Sequence, residues 1–388
     1  MQLRSAFREY YFRVFDDSNL PDRLDQREFG FSQFGEQGMK RHLSFKSAGQ
    51  LRAYLVKEVP SDAYCSNALY RYPTLPMQEK EWIGASIIFD IDGKDLDLPC
   101  VSTHSYILCH ACNRSELLYN DPEKENSTCP NCKAPISGSE RVSLPCSKCV
   151  DGSLEHVRRL MMFLEMDFGI SSSNILTFFS GNNGFHVYVN AIDYQTLDSR
   201  ARLDIVSYVT GSGLIPEIIG IRKATNMPNV VASKSRHSSF NFGWSSKIAH
   251  DLKIADKTTN ASIVTKVEAL GGYEALKKKI ALVAAKHGAV IDPQVTSDIH
   301  RIFRLPGSIN SKSSLAKIRC ANVKEFNPFK EACVLGEQKI SVKLKGPVKF
   351  NLKGNSFKLS KESAELPAYA AAYLVCKKLA EVEDSGSA

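Results

Sequence analysis

The stretch WIGASIIFDID (residues 82–92) decides the fold. It is apolar and rich in β-branched residues, with charge before it and Gly93 after it, and so predicts a buried strand over 82–91 that ends on Asp90 and Asp92. Alternate residues of a strand share a face, so the two carboxylates stand side by side. They repel unless a cation lies between them. Mg²⁺ or Mn²⁺ supplies that charge, takes oxygen ligands and bridges to phosphates, the arrangement used in two-metal phosphoryl transfer. A lone Asp-x-Asp is commonly just a solvated strand end; its place at the end of so apolar a run gives it weight.

Downstream, Leu154, Val157, Leu160, Met161, Leu164 and Phe168 recur at helical spacing and predict an amphipathic helix ending before Gly169. ILTFF (175–179) and FHVYV (185–189) then read as two strands joined by Ser180-Gly-Asn-Asn-Gly184, a hairpin signal. Strand, helix and hairpin describe an α/β sheet with a site at its edge. The turn offers a hydroxyl, backbone N–H groups and two glycines, and His186 follows it, so it is able to cradle a phosphate. A plain hairpin turn with His186 as a hydrogen-bonded sheet residue is the competing reading.

A third segment, IDPQVTSDIHRIFRLPGSINSKSS (291–314), holds Asp292 followed by Arg301 and Arg304. The pattern predicts a helix that puts both arginines on one face, with room for a triphosphate between them. Asp298 is expected to start that helix. Two arginines at this spacing also suit an ordinary solvated face.

Eleven cysteines include three Cys-x-x-Cys pairs between Cys109 and Cys149, which points to metal binding rather than disulfides. Cys109, Cys112, Cys129 and Cys132 have zinc-ribbon spacing. Cys146 and Cys149 need two more ligands, and Cys100 and His104 are the nearest candidates, which makes two zinc sites. Spacing alone leaves a mixed pairing among the six cysteines open. Cys65, Cys320, Cys333 and Cys376 read as isolated cysteines.

With 388 residues, 43% hydrophobic and 24% charged, the chain has ordinary globular composition and room for two or three domains. The net charge of +8 suits a polyanionic partner without requiring one. The N-terminal MQLRSAFREYYFRVF carries charge every few residues, unlike a signal peptide, and no apolar run reaches the ~18 residues of a membrane span. A reducing, cytoplasmic location with no membrane association is expected. Helices are predicted over Leu3–Val14 and Ala48–Glu58, with a strand-like Arg41–Phe45 between them; 195–284 reads as a helical accessory region and 378–388 as a frayed tail.

Taken in order, FREYY (7–11), RHLSF (41–45), FDID (89–92), a Cys/His segment, SGNNGFH (180–186) and the D…R…LPGSIN…K segment resemble the catalytic small subunit of archaeal and eukaryotic DNA primase, and its archaeal branch in particular. The resemblance spans most of residues 1–315. It implies an α/β fold: an RRM-like catalytic core assembled from 1–99, 150–194 and 285–350, a zinc-binding module over 100–149 with a ribbon inserted at 105–140, and the helical subdomain. It implies that Asp90, Asp92 and Asp292 bind catalytic Mg²⁺ or Mn²⁺, and that Ser180, His186, Arg41 and Arg304 hold the triphosphate of the incoming nucleotide. Some relatives carry arginines where this chain has Asn182 and Asn183, and histidine where it has Asn310. The family's zinc site falls on Cys100, His104, Cys146 and Cys149, leaving the Cys109–Cys132 ribbon as an insertion.

The implied activity is DNA-templated synthesis of short RNA primers, or primers containing DNA, from nucleoside triphosphates with release of pyrophosphate. The implied partners are single-stranded template and a large primase subunit carrying an iron–sulfur cluster. Two other classes stay in view. A repair or translesion primase-polymerase shares the triad and differs in its partners. A non-catalytic zinc-ribbon nucleic-acid binder leaves the collinear aspartates and the SGNNGFH turn unexplained.

Overall fold

The computed structural model describes residues 2–117, 128–129, 131–135, 139–223, 230–232, 242–254 and 260–383. It is a mixed α/β structure whose main sheets are antiparallel. Parts of the expected ribbon (118–127, 130, 136–138) and of the expected helical region (224–229, 233–241, 255–259) lie outside the described residues.

Two four-stranded sheets carry the centre. In the first, strands run in the order Ile318–Arg319, Ile175–Phe179, Gly184–Val189, Ile87–Asp92. Alternation sorts its side chains: Ile87, Phe89, Ile91, Phe185, Val187 and Val189 are at most 1% exposed. That face packs on the helix Ser147–Met162, which presents Leu154, Val157 and Leu160. Each such fully buried aliphatic side chain contributes about 1.5–3 kcal/mol. The opposite face carries Ile88, Asp90, Asp92, His186 and Tyr188.

The second sheet runs Ile302–Arg304, Asp62–Ser66, Phe29–Ser32, Lys40–Leu43. Its Phe303 stands 5.6 Å from His186 and 6.3 Å from Tyr188, ring centre to ring centre, and a small apolar cluster of Ile88, Val295 and Phe303 joins the two sheets.

Several expectations from sequence are corrected. The run 82–91 is two strands, Trp82–Ala85 pairing with Ala68–Tyr70 and Ile87–Asp92 pairing with Gly184–Val189. The break at Ser86 has a cause. The guanidinium of Arg202, fully buried, donates to the carbonyls of Ala85 (2.7 Å) and Ser86 (3.0 Å), and Asn67 Nδ2 also donates to Ser86 O (3.0 Å).

Arg301 and Arg304 lie on no helix. Asp292 caps a short helix, Pro293–Ser297, and Asp298 closes that helix rather than starting one. Residues Ile302–Arg304 then pair with Tyr64–Ser66 as a strand, leaving Arg301 exposed and Arg304 buried. The 195–284 region is helical over Ser199–Thr210, Gly243–Asp251, Asn260–Ala269 and Gly272–His287, but also contains the strand pair Ile221–Lys223 and Val230–Ala232. At the C-terminus, Ala380–Val382 is a strand paired with Lys339–Leu344, so the frayed tail expected from Lys378 does not begin there; residues 384–388 lie outside the described residues. Among the described residues no helix is long and apolar enough to cross a membrane.

Candidate active site and metal centres

The antiparallel register sets Asp90 opposite His186 and Asp92 opposite Gly184. On the other flank of the Asp90 strand, the Asp292 N–H donates to the Asp90 carbonyl at 3.0 Å, which brings the third carboxylate alongside. The strand tip is tightly built. A Cβ on Gly184 would overlap the Ile91 carbonyl oxygen and lie 3.0 Å from Asp92 Cα, so only glycine lets the hairpin approach this closely.

Electrostatics at Asp90 disfavour its ionised form. Burial first, then the charges of Asp92 and Asp292, push the Asp90 carboxyl up to about 6. Lys94 offsets part of this, its Nζ 3.1 Å from Asp92 Oδ2, and Asp92 Oδ1 also accepts from Lys94 N at 3.0 Å. Asp292 Oδ1 accepts from Gln294 N (2.9 Å) and Val295 N (3.3 Å). A hard divalent cation, which takes carboxylate oxygens and cancels their repulsion, fits this donor set.

His186 is 8% exposed, with Nε2 3.5 Å from Asp90 Oδ1 and Nδ1 buried without a hydrogen-bond partner among the described residues. Burial, followed by the charges of Lys317, Arg304 and Arg301, holds its pKa well below the usual histidine value, so the ring is neutral.

The turn after Phe179 is fixed from three sides. Ser180 N–H donates to Gly184 O at 2.9 Å, Gly93 N–H donates to Asn183 O at 2.8 Å, and the Ser313 hydroxyl donates to the Gly181 carbonyl. Gly181 has φ +88°, and a Cβ there would sit 3.1 Å from Asn310 Cβ and from Leu315 O. Ser180 is half-buried beside these contacts.

The two arginines expected to grip a triphosphate are both engaged in ion pairs. Arg304 Nη1 is 2.6 Å from Asp62 Oδ1 and donates to Ile309 O at 3.0 Å, and its guanidinium lies 5.2 Å over the Tyr64 ring. Arg41 contacts Glu28 Oε1 at 2.9 Å and Oε2 at 3.2 Å, while Lys80 lies 3.4 Å from the same fully buried carboxylate. Their strands form opposite edges of the second sheet, three strand spacings or about 14 Å apart. Arg304 is on the edge strand whose Phe303 meets His186, and Arg41 is on the opposite edge.

Sequence reading passed over Lys317. It is fully buried, its Nζ donating to Tyr188 OH (2.6 Å) and Arg304 O (2.8 Å), and it lies between the Phe178 and Tyr188 rings. Burial, with Arg304 nearby, pushes it down to about 7. A lysine inside the apolar run Leu315–Ile318 was the available signal. Glu28 and Asp62, which hold the two arginines, had none.

The cysteines resolve the pairing. Cys100, His104, Cys146 and Cys149 form one group and Cys109, Cys112, Cys129 and Cys132 another, with the ligand atoms of each group within 4.8 Å of one another. Contacts such as Cys109–Cys132 (3.7 Å) and Cys112–Cys129 (3.8 Å) match the ~3.8 Å edge of a tetrahedron with ~2.3 Å Zn–S bonds. In the first group Cys149 Sγ lies 3.1 Å from His104 Nε2 and 3.5 Å from Cys100 Sγ. His104 Nδ1 is 3.2 Å from Ser143 Oγ, the kind of outer partner that orients a metal-binding imidazole. Both donor sets suit zinc.

The family model for the DNA primase small subunit matches residues 140–319. DNA primase small subunit PriS of Nitrosopumilus maritimus (strain SCM1) is 40% identical over 384 residues, covering 98% of each chain. PriS of Cenarchaeum symbiosum (strain A) is 37% identical over 379 residues, covering 97% of each. PriS of Archaeoglobus fulgidus is 28% identical over 384 residues, covering 97% of this chain and 96% of that one.

Proposed function

This chain belongs to the DNA primase small subunit family, and from that membership we propose that Asp90, Asp92 and Asp292 are the catalytic carboxylates with which it makes primers on single-stranded DNA. The observation that carries the proposal is Asp90 and Asp92 on one face at the end of a strand, with Asp292 hydrogen-bonded to that strand through its backbone, the charges of Asp92 and Asp292 acting on Asp90, and His186 beside Asp90. Asp90, Asp92 and Asp292 would hold Mg²⁺ or Mn²⁺, which supplies a lowered pKa for the attacking 3′-hydroxyl and charge neutralisation for the leaving pyrophosphate.

The remaining work falls to positioning. Ser180 and the backbone of the Ser180–Gly184 turn orient the triphosphate, and Arg304, held by Asp62, places positive charge beside it. His186 donates a hydrogen bond as a neutral ring. Arg41, held by Glu28, contributes from the far sheet edge. The two cysteine groups hold zinc as structural sites, the first next to the helix that supports the catalytic sheet.

We place the catalytic sheet and its partner sheet in an RRM-like core built from 1–99, 150–194 and 285–350, with 100–149 as the zinc module, its ribbon at 105–140, and 195–284 as accessory. As a small subunit the chain works in a complex with a large subunit, for which we propose an iron–sulfur protein. The substrates are nucleoside triphosphates and the product an RNA or DNA-containing primer.

The test is template-dependent incorporation of labelled nucleotides on unprimed single-stranded DNA with Mg²⁺ or Mn²⁺, the large subunit supplied. Synthesis by the native chain, abolished in Asp90→Asn/Asp92→Asn with zinc content and folding intact, is the expected result. No synthesis by the native chain would overturn it.

A further inference from the structure

The Ser180–Gly184 turn has no basic side chain of its own. A cation reaches it from the far end of the chain. Lys377 Nζ donates to Asn182 Oδ1 at 2.8 Å. Lys377 closes the helix Ala368–Cys376, in which every residue from Ala368 to Leu374 is buried, and its N–H donates to Tyr373 O at 3.0 Å. A cation at a helix C-terminus is favoured by the carbonyls that converge there.

What surrounds this ammonium is unusual for a buried charge. Lys377 is 9% exposed, and among the described residues no carboxylate lies within 4.0 Å of it. Among the described residues it meets the neutral amide of Asn182 and the Tyr373 ring, 5.8 Å away. Burial lowers its pKa to about 8, with the charges of Cys376, Asp92 and Lys312 also acting on it, and its own charge acts in turn on His104 of the first cysteine group. Holding a cation out of water without a close anion is costly, and an anionic ligand bound at the turn would offset that cost.

We propose that Lys377 is a positioning residue of the nucleotide site: through Asn182 it holds the Ser180–Gly184 turn and lends it positive charge against the triphosphate of the incoming nucleotide. The proposal rests on the reading of that turn as the phosphate cradle. It makes the C-terminal helix part of the nucleotide site, coupling the packing of residues 368–377 to substrate binding.

The experiment measures kcat and KM for nucleoside triphosphate in templated synthesis by the full chain with its large subunit. Lys377→Met is expected to raise KM about tenfold with kcat within about twofold, the signature of lost substrate binding. Lys377→Arg should restore KM to within about threefold of the native value. Asn182→Ala should raise KM by a similar factor, and the double variant should be no worse than either single one, because the two side chains act as a unit.

An unchanged KM in Lys377→Met, a fall in kcat alone, or additive effects in the double variant would overturn the proposal in favour of a packing role. Should Lys377→Met fail to fold, Asn182→Asp decides: it pairs the ammonium with a carboxylate, KM is expected to rise about tenfold, and an unchanged KM overturns the proposal. Ser180→Ala separates the two levels. A raised KM there with Lys377→Met unaffected sinks this inference alone, whereas no effect of Ser180→Ala, or no synthesis by the native chain, removes the phosphate-cradle reading and this inference with it.

Discussion

His186 Nε2 lies 3.5 Å from Asp90 Oδ1 across a register pair of the catalytic sheet, yet the imidazole carries no charge to offset the carboxylate. Burial and the cations Lys317, Arg304 and Arg301 see to that. Within the fold the acidic centre has the partial offset of Lys94 at Asp92 and of the charge of Arg301, and a bound cation would supply the rest.

It follows that Asp90→Asn should cost activity and not stability. The carboxyl of Asp90 is pushed up to about 6 by burial and by Asp92 and Asp292, so its ionised form is disfavoured in the folded chain. Removing the charge is expected to leave the protein as stable, or more stable by about 1–2 kcal/mol, in Mg²⁺-free buffer near neutral pH, while primer synthesis is lost. Urea denaturation of zinc-replete protein reads the first part. A clear loss of stability would show that the three carboxylates are not mutually repulsive.

The two cysteine groups should differ in consequence. Metal analysis is expected to find two zinc ions per chain, with Cys149→Ser and Cys132→Ser each losing one. Cys149 is 3% exposed in the first turn of the helix Ser147–Met162, so its loss should lower the melting temperature strongly and reduce synthesis. Cys132 is exposed, and its variant should melt close to the native protein. Equal losses of stability would argue against this division.

What was legible in the sequence follows from how local each signal is. Strand alternation and the two-residue spacing of Asp90 and Asp92 need no tertiary knowledge, and the hairpin 175–189 formed as its turn residues require. The zinc groups were readable because ligand spacing is short, although the pairing needed the fold. Arg301 and Arg304 misled because their spacing fits a helix as well as a strand, and the partner that decides, Tyr64–Ser66, lies some 240 residues away. The buried charges Glu28, Asp62 and Lys377 were invisible for the same reason, since only long-range packing makes a charged side chain structural, whereas Lys317 had the apolar run around it as a signal.

Lys317 should be readable by pH. Its folded pKa is about 7, against an ordinary lysine value of 10.5. Between these values the unfolded chain binds the additional proton, so stability contributed at this residue rises with pH from about 7 to about 10.5 and is lowest below pH 7. Lys317→Met removes the titration. The native protein is expected to gain on the order of 2 kcal/mol relative to that variant between pH 7 and 9, measured by parallel urea titrations. A constant difference between the two proteins would mean that the ammonium is not desolvated.

The last prediction concerns Asp62 and Arg304, whose side chains are 11% and 9% exposed and whose closest N···O distance is 2.6 Å. Burial opposes ionisation of Asp62, but Arg304 and the hydrogen bonds from Ser311 outweigh it and hold the carboxyl below the usual range. Asp62→Ala leaves a buried guanidinium with only Ile309 O and Tyr64 as partners, and should cost about 3–5 kcal/mol. Arg304→Met likewise strands a buried carboxylate. Removing both charges, as in Asp62→Leu with Arg304→Met, eliminates the stranded partner and should cost less than either single change. If Arg304 also serves the triphosphate, the double variant will be the stable one that still binds nucleotide poorly, with KM raised and the fold intact. A double variant that costs the sum of its parts would mean that each residue is held by its other neighbours, and that Asp62 does not aim Arg304 at the site.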